Sequence, residues 1–335
     1  MLKYKKCVNL FNILLIEFIA VLFVFLISMC IGRYTMGIGD VLKLITFSSD
    51  SQDYFALFWL IRLPRTVLVL ISGSALALAG TVYQGVFRNP LVSSDILGVT
   101  SGASLGAVLS IMLWHNTTWI AQLASFCGGI LAVGLAMSLV RTVKNNSTLG
   151  LILAGIIISS IASSLVLMFK YLADPYKQLP AIEYWMMGGF YNADWEKVIG
   201  IFPAVFLSAT VILLLRWRLK VLTLGDDEAM SLGVRVKPVR GILVIAATVL
   251  VSAVVSVAGM VSWIGLVAPH IVRMIIGDDS SMGLVVSWGV GAVILLLADT
   301  AARTMTTSEI PISVITSFVG APFLGYLMWK AGRAQ

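Results

Sequence analysis

Residues 241 to 276 read GILVIAATVLVSAVVSVAGMVSWIGLVAPHIVRMII and form a nearly uninterrupted apolar run. As one α-helix, the run would be about 54 Å long at 1.5 Å per residue. The hydrocarbon core of a bilayer is only about 30 Å thick. The run must therefore turn or break, and Gly259, Gly265 and Pro269 are the candidate breakers. Broken helices persist in membranes only where protein or a cavity satisfies the backbone.

The composition places the rest of the chain in lipid as well. Hydrophobic residues make up 59% and charged residues 12% of the 335 residues, whereas globular domains have roughly 45–50% and about 25%. A membrane span needs about 20 apolar residues. Ten stretches of about that length are predicted spans, and they cover residues 10–31, 66–86, 95–114, 118–140, 149–171, 198–217, 239–258, 259–276, 282–302 and 311–330. The sequence predicts an all-α polytopic membrane protein of about ten transmembrane helices, folded as a single domain over residues 1–335.

The distribution of basic residues predicts that both termini are cytoplasmic. In that orientation, 15 of the 23 Lys and Arg residues lie inside, as the positive-inside rule requires. The first apolar segment, of about 22 residues, exceeds the 7–15 of a signal-peptide core and no small-residue cleavage site follows it, so we expect a retained span. The net charge of +7 then reflects topology, and no nucleic-acid partner is expected.

An internal repeat is indicated by four matched residues. Ala79, Gly80, Val82 and Pro90 recur 179 positions later as Ala258, Gly259, Val261 and Pro269. The second copy starts five spans later and would run in the opposite direction. Inverted repeats with interrupted helices are a recurrent plan of transporters. The predicted repeat halves cover residues 62–171 and 239–330.

Catalytic and metal-binding motifs are not found. The chain has no Gly-Lys dipeptide, so a phosphate-binding loop of the GxxxxGK[ST] type is excluded and any ATP must be bound by a partner. Gly102-Ala103-Ser104-Leu105-Gly106 matches a nucleophile-elbow pattern, but it opens a membrane helix, where small residues serve helix packing. No cofactor or metal site is expected. Glu17 and Asp299 are intramembrane carboxylates, and Asp299 can pair with Arg303 one helical turn later.

Six strings resemble the FecCD family of permeases, from residue 62 to the carboxyl terminus. They are RLPRTVLVLISGSALALAG (62–80), QGVFRNPLVSSDILGVTSGASLGA (84–107), LGDDEAMSLGV (224–234), GLVAPHIVRMIIG (265–277), LLLADTAAR (295–303) and EIPISVITSFVGAPFLGYLM (309–328). The family comprises membrane subunits of importers for iron-siderophores, haem and cobalamin. The resemblance implies a permease without enzymatic activity in a bacterial plasma or inner membrane, with a ferric siderophore as the expected cargo.

The resemblance also implies a set of partners. These are two ATP-binding-cassette ATPase subunits inside, a substrate-binding protein outside, and a second copy of the permease or a homologous one. Haem and cobalamin remain alternative cargoes. An ion-coupled secondary transporter is the alternative from another class, because it would also have inverted repeats.

The charged loop of residues 216–240 is the predicted coupling element to the ATPase. Gly225 can precede a short helix whose first turn contains acidic residues. Negative charge is favourable at the amino terminus of a helix. Ala229, Leu232 and Val234 are predicted to be apolar contacts for the ATPase. The predicted coupling residues are Leu224, Gly225, Asp226, Asp227, Glu228, Ala229, Leu232 and Gly233.

Two further sets of residues are predicted to have a function, one on the outer face and one within the spans. Arg62, Arg65 and Arg303 are expected to form an outward basic surface, since related permeases meet glutamates of the binding protein with arginines in this motif context. The alternative role for them is headgroup anchoring. Small residues of the fifth and tenth spans are predicted to line the translocation path or to let helices approach closely. The path residues are Ser159, Ser160, Ser163, Ser313, Ser317 and Gly320.

Overall fold

The structure is a computed structural model that describes residues 10–32, 34, 36–46, 52–93, 95–114, 118–142, 148–277 and 280–332. The described residues are helical with short connections. The helices are α1 (Leu10–Cys30), α2 (Ile38–Ile45), α3 (Gln52–Ala56), a π-helical segment (Leu57–Arg62), α4 (Leu63–Phe87), α5 (Val99–Trp114), α6 (Thr118–Thr142), α7 (Thr148–Leu172), α8 (Gln178–Met187), α9 (Trp195–Leu214), α10 (Arg216–Leu222), α11 (Asp226–Ser231), α12 (Val236–Ala258), α13 (Ile264–Ile276), α14 (Ser280–Thr304) and α15 (Ile312–Gly332).

The prediction of an all-α membrane protein is confirmed. Among the described residues, seven helical stretches are long and apolar enough to cross a membrane, and the shorter apolar helices α5, α13 and α15 occupy the other three predicted spans. The predicted and observed bounds differ by five residues or fewer at each end. The short helices α2, α3, α8, α10 and α11 lie between the spans.

The apolar run of residues 241–276 breaks at the first of its three candidate breakers. α12 ends at Ala258, and Gly259 takes φ +66° and ψ −156°, a conformation that only glycine adopts readily. Trp263 has φ +72° and directly precedes α13. Its indole Nε1 donates a hydrogen bond to Ser317 Oγ on α15 at 3.0 Å. Residues 259–263 therefore lead back into the bundle, where α13 begins against neighbouring helices.

The order of helix lengths is similar in the two predicted repeat halves, and their inverted relation stays a prediction. α4, α5, α6 and α7 have 25, 16, 25 and 25 residues, and α12, α13, α14 and α15 have 23, 13, 25 and 21. In each half the second helix is short and follows an irregular stretch. The residue register predicted from sequence is wrong, however. Gly80 lies inside α4, whereas Gly259, its predicted counterpart, lies just after the end of α12.

Small residues determine how closely the spans approach. A Cβ added at Gly80 would collide with the backbone of Gly265 on α13, and one at Gly102 would collide with the backbone of Gly128 on α6. Gly102 and Gly106 thus pack α5 against α6, which confirms the helix-packing interpretation of the elbow-like pattern. Close backbone contact through small residues is a common way for helices to associate in lipid.

α4 connects two ends of the bundle that contain different clusters of charged residues. Its 25 residues span about 37 Å at 1.5 Å per residue. Arg62 and Arg65 lie at its start, and Arg88 follows its last residue. We call the end that contains Arg62, Arg65 and Arg303 the arginine end, and the opposite end, which contains Arg88, Asp226 and Arg240, the coupling end.

Candidate functional site

α11 is a short helix at the coupling end with well-defined termini. Gly225 precedes it with φ +145°, and the carboxylate of Glu228 occupies the space that a side chain at Gly225 would need. At the other terminus, the Val234 amide donates to the Ala229 carbonyl and the Gly233 amide to the Met230 carbonyl, both at 2.9 Å. Together with φ +79° at Gly233, this is a Schellman motif. The predicted short helix is therefore present, and glycine is required at both of its termini.

Asp226 fixes α11 to two membrane helices. Its Oδ1 accepts hydrogen bonds from Arg88 Nη2 at 3.0 Å and from Arg240 Nη2 at 2.7 Å. Arg88 follows α4, and Arg240 lies in the first two turns of α12. Charge-assisted hydrogen bonds of this kind are about twice as strong as neutral ones. A displacement of α11 would therefore act directly on α4 and α12.

The apolar contact residues predicted on this segment are only partly right. Ala229 is fully buried and Val234 is 5% exposed, because both pack into the protein's own core. They cannot serve as contacts for a partner without unfolding the segment. Leu232 is 54% exposed, as predicted, and Leu224 and Met230 are similarly exposed. Met230, which the sequence analysis did not name, is therefore an additional candidate for an apolar contact, whereas Ala229 and Val234 are covered.

A cleft of about 640 Å³ opens beside the coupling segment. It lies between the end of α4 and α13, and its lining includes Thr223 and Arg88. Arg273 on α13 donates to Gln84 Oε1 on α4 at 2.5 Å. The sequence analysis did not identify this contact, because the two residues are 189 positions apart and neither belongs to a recognisable pair.

Arg65 forms a buried ion cluster at the arginine end. Its Nη2 lies 2.8 Å from Asp299 Oδ1 on α14 and 2.9 Å from Glu309 Oε2 in the following loop. Asp299 is 1% exposed and Arg65 is 8% exposed. Nearby, the Tyr191 hydroxyl donates to the Tyr184 carbonyl at 3.0 Å. Burial raises the pKa of both tyrosines, with smaller contributions from the Glu309 charge at Tyr184 and from Tyr184 at Tyr191.

The expected exposed basic surface is not present at the arginine end. Arg62 is 4% and Arg303 is 6% exposed, and with Arg65 all three side chains are buried. Arg62 donates to the backbone carbonyls of Met29, at 2.5 Å, and of Cys30 and Tyr34. Arg303 donates to the carbonyl and hydroxyl of Ser28 and lies 3.6 Å from Asp299. The prediction of exposure is wrong because carbonyls at and just after the end of α1 and internal carboxylates bind these guanidinium groups.

The predicted path residues divide into packed and exposed positions. Ser159 shares a 3.0 Å hydrogen bond with Ser101 on α5, and Ser313 donates to the Met187 carbonyl at 2.6 Å. Ser317 and Gly320 contact Trp263. These four positions contact neighbouring segments of the protein, and their place along a path also stays a prediction. Ser160 and Ser163 lie on an exposed face of α7, and their lining of a path stays a prediction.

Comparison with known proteins identifies the family. The model of the FecCD transport family matches residues 20–330. The chain belongs to this family. It is 37% identical over 313 residues to the molybdate import system permease MolB of Haemophilus influenzae, covering 92% of each chain. It is 38% identical over 270 residues to a permease of Helicobacter pylori named for iron chelatin transport, covering 81% of each.

A solved structure also matches the fold. It is described as an inward-facing conformation of a metal-chelate type ABC transporter, with a TM-score of 0.87 and 34% identity over 95% of this chain and 99% of the other. The family resemblance predicted from six sequence strings is thereby confirmed. The chain is a permease of the ATP-binding-cassette (ABC) importers, and it is a transport component of the FecCD type.

Proposed function

We propose that this FecCD permease carries a ferric siderophore or another bulky iron chelate from a substrate-binding protein into the cytoplasm of a bacterium. Two copies, or one copy and a homologous permease, would enclose the path. Two separate ATPase subunits would supply ATP hydrolysis. The iron-chelate cargo is supported by the names of a relative and of the matching structure. Haem and cobalamin are alternative cargoes that the family resemblance implies.

The structure of the coupling end carries the proposal of ATP-driven transport. The anchored helix α11 and the residues that flank it present exposed apolar side chains, Leu224, Met230 and Leu232, at one end of a membrane bundle. Apolar groups exposed to water beside charged residues are typical of a surface that docks another protein. Lys and Arg residues are more frequent at this end of the bundle, which favours a cytoplasmic location for the coupling end. ATPase subunits would bind there.

Molybdate is a second candidate cargo. The relative named for molybdate import covers 92% of both chains at 37% identity, which is a more extensive match than that of the iron-chelatin relative. Molybdate is a small oxyanion, so a carrier for it would differ from a chelate carrier in the size of the cargo it accepts.

Uptake into liposomes would test the cargo and the energy source together. The chain is reconstituted with the ATPase subunits and binding protein of its own transport system, and ferric siderophore or molybdate is supplied in radioactive form. We expect iron to accumulate only with ATP inside the vesicles. Accumulation of molybdate alone would contradict the iron-chelate proposal. Uptake without any ATPase subunit would instead support the secondary-transporter alternative.

We expect Leu232→Asp to weaken the docking of the ATPase subunits. A charge placed on an apolar contact must be desolvated on binding, so the amount of ATPase that copurifies should fall about fivefold or more. Met305 is also exposed, at 67%, but lies beyond α14 at the arginine end. Met305→Asp is therefore the matched control and should leave copurification unchanged. Equal losses in both variants would place the docking surface elsewhere.

A further inference from the structure

An apolar groove runs between α6 and α12 and begins at the coupling end. It consists of two adjoining cavities of about 350 and 260 Å³, which share Met137, Arg141 and Ile245. The first cavity contains the mouth, which Arg141, Lys237 and Arg240 line. The second continues between the helices past Gly134 and ends near Val249. Neither cavity includes a residue of the coupling helix α11.

The depth of the groove corresponds to one leaflet of a bilayer. Along α12 the groove extends from Lys237 to Val249, which is about 18 Å at 1.5 Å per residue. Along α6 it extends from Arg141 to Ile130, which is about 16 Å. Half of the roughly 30 Å hydrocarbon core is about 15 Å. An acyl chain of one leaflet therefore matches the groove in length and in polarity.

The mouth of the groove carries positive charge that the protein does not neutralise. Arg141 and Lys237 are exposed, and in the described part of the chain neither forms an ion pair. Arg240 is 6% exposed, and its Nε is buried without a hydrogen-bond partner even though its Nη2 binds Asp226. The first turn of α12 contains no acidic residue. Its amide groups add further positive potential, because a helix amino end attracts anions.

We propose that this groove binds one anionic phospholipid, with its phosphate at Arg141, Lys237 and Arg240 and one acyl chain between α6 and α12. Free phosphate would leave the apolar walls without a partner. A zwitterionic lipid would bring its own cation to a mouth where Arg141 and Lys237 already lack an ion pair in the described part of the chain. Basic pockets between membrane helices are known to bind anionic headgroups. Because Arg240 also holds Asp226, the bound lipid would lie next to the anchor of α11.

Removal of the two exposed charges tests recognition of the headgroup. The probes are phosphatidylglycerol and phosphatidylcholine, added to the detergent-solubilised full chain, and bound lipid is counted by native mass spectrometry. In the double variant Arg141→Gln, Lys237→Gln, we expect phosphatidylglycerol affinity to fall about tenfold and phosphatidylcholine affinity to change less. The control is Arg216→Gln, Arg218→Gln, which removes two exposed charges from α10 outside the groove. Equal losses in both double variants, or no loss in the first, would overturn the proposal.

Filling the groove tests binding of the acyl chain independently of charge. A Cβ at Gly134 meets no atom within 4 Å, so the helix tolerates Gly134→Leu and the new side chain enters the groove. We expect this variant to lose at least fivefold in phosphatidylglycerol affinity. Gly200 on α9 is equally open, and Gly200→Leu should have no effect. Unchanged binding in Gly134→Leu would show that only the headgroup is held and would overturn the groove as a lipid site.

Discussion

Asp226→Asn should reduce ATP-coupled uptake at least tenfold while the protein still reaches the membrane. The Asp226 carboxylate is the shared acceptor of Arg88 and Arg240, and these bonds connect α11 to α4 and α12. An amide is neutral and can accept only weaker hydrogen bonds from the two guanidinium groups. Arg240, whose side chain is 8% exposed, would then be a buried charge that has lost its carboxylate partner, which is costly. We expect α11 to detach from the membrane helices.

The neighbouring carboxylate supplies a matched control. Asp227 lies one residue further along α11 and is exposed, so Asp227→Asn makes the same chemical change without touching the anchor. It should keep most of the uptake. ATPase activity measured in the same vesicles separates two failures: continued hydrolysis without uptake indicates loss of coupling, whereas loss of both indicates loss of ATPase docking. Normal uptake in Asp226→Asn would show that the ion pairs do not transmit force.

The spans were predictable because their signal is local. A membrane helix is recognised by about 20 successive apolar residues, and the break in residues 241–276 follows from length alone. The repeat register was not predictable from matched letters. Both positions need glycine, but for different reasons. Gly80 allows α13 to approach α4, whereas Gly259 lets the chain reverse direction after α12.

The charged residues were predicted less well because their partners are distant in sequence. The Asp299–Arg303 contact was expected from spacing, and it is present at 3.6 Å. The shorter contact of Asp299 is with Arg65, 234 positions away, at 2.8 Å, and no local pattern indicates it. The same limit explains the wrong assignment of Ala229. Its apolar side chain in a charged loop suggested a contact with a partner, but the protein's own core covers it.

The two clusters of ion pairs place α4 under constraint at both termini. At the arginine end, Arg65 joins α4 to α14 and to the loop that precedes α15. At the coupling end, Arg88 joins the residue after α4 to α11. Between them, α4 is almost entirely buried. Because α4 is packed along its length and held at both termini, we expect it to move as a rigid element between the two ends of the bundle.

Arg65→Met should lower the free energy of unfolding by about 3–5 kcal/mol, because it leaves buried Asp299 without its main partner. Denaturation can be followed by the fluorescence of the nine tryptophans. Glu183→Gln breaks the more exposed Lys170–Glu183 pair and should cost at most about 1 kcal/mol. The double variant Arg65→Met, Asp299→Leu should recover more than half of the loss, since replacing both partners removes the unpaired charge.

The same variants also bear on how the binding protein docks. If Arg65 is buried as in this structure, Arg65→Met should lower the stability of the protein without changing its docking surface. The rate at which the folded fraction associates with the binding protein should then stay within about twofold of the unsubstituted rate. A stability change below 1 kcal/mol together with slowed, salt-sensitive association would mean that Arg65 is reachable from outside. That result would contradict the buried cluster and restore the basic docking surface predicted from the sequence. A large loss of stability rescued by Asp299→Leu would instead establish Arg65 as the internal connection between α4 and α14.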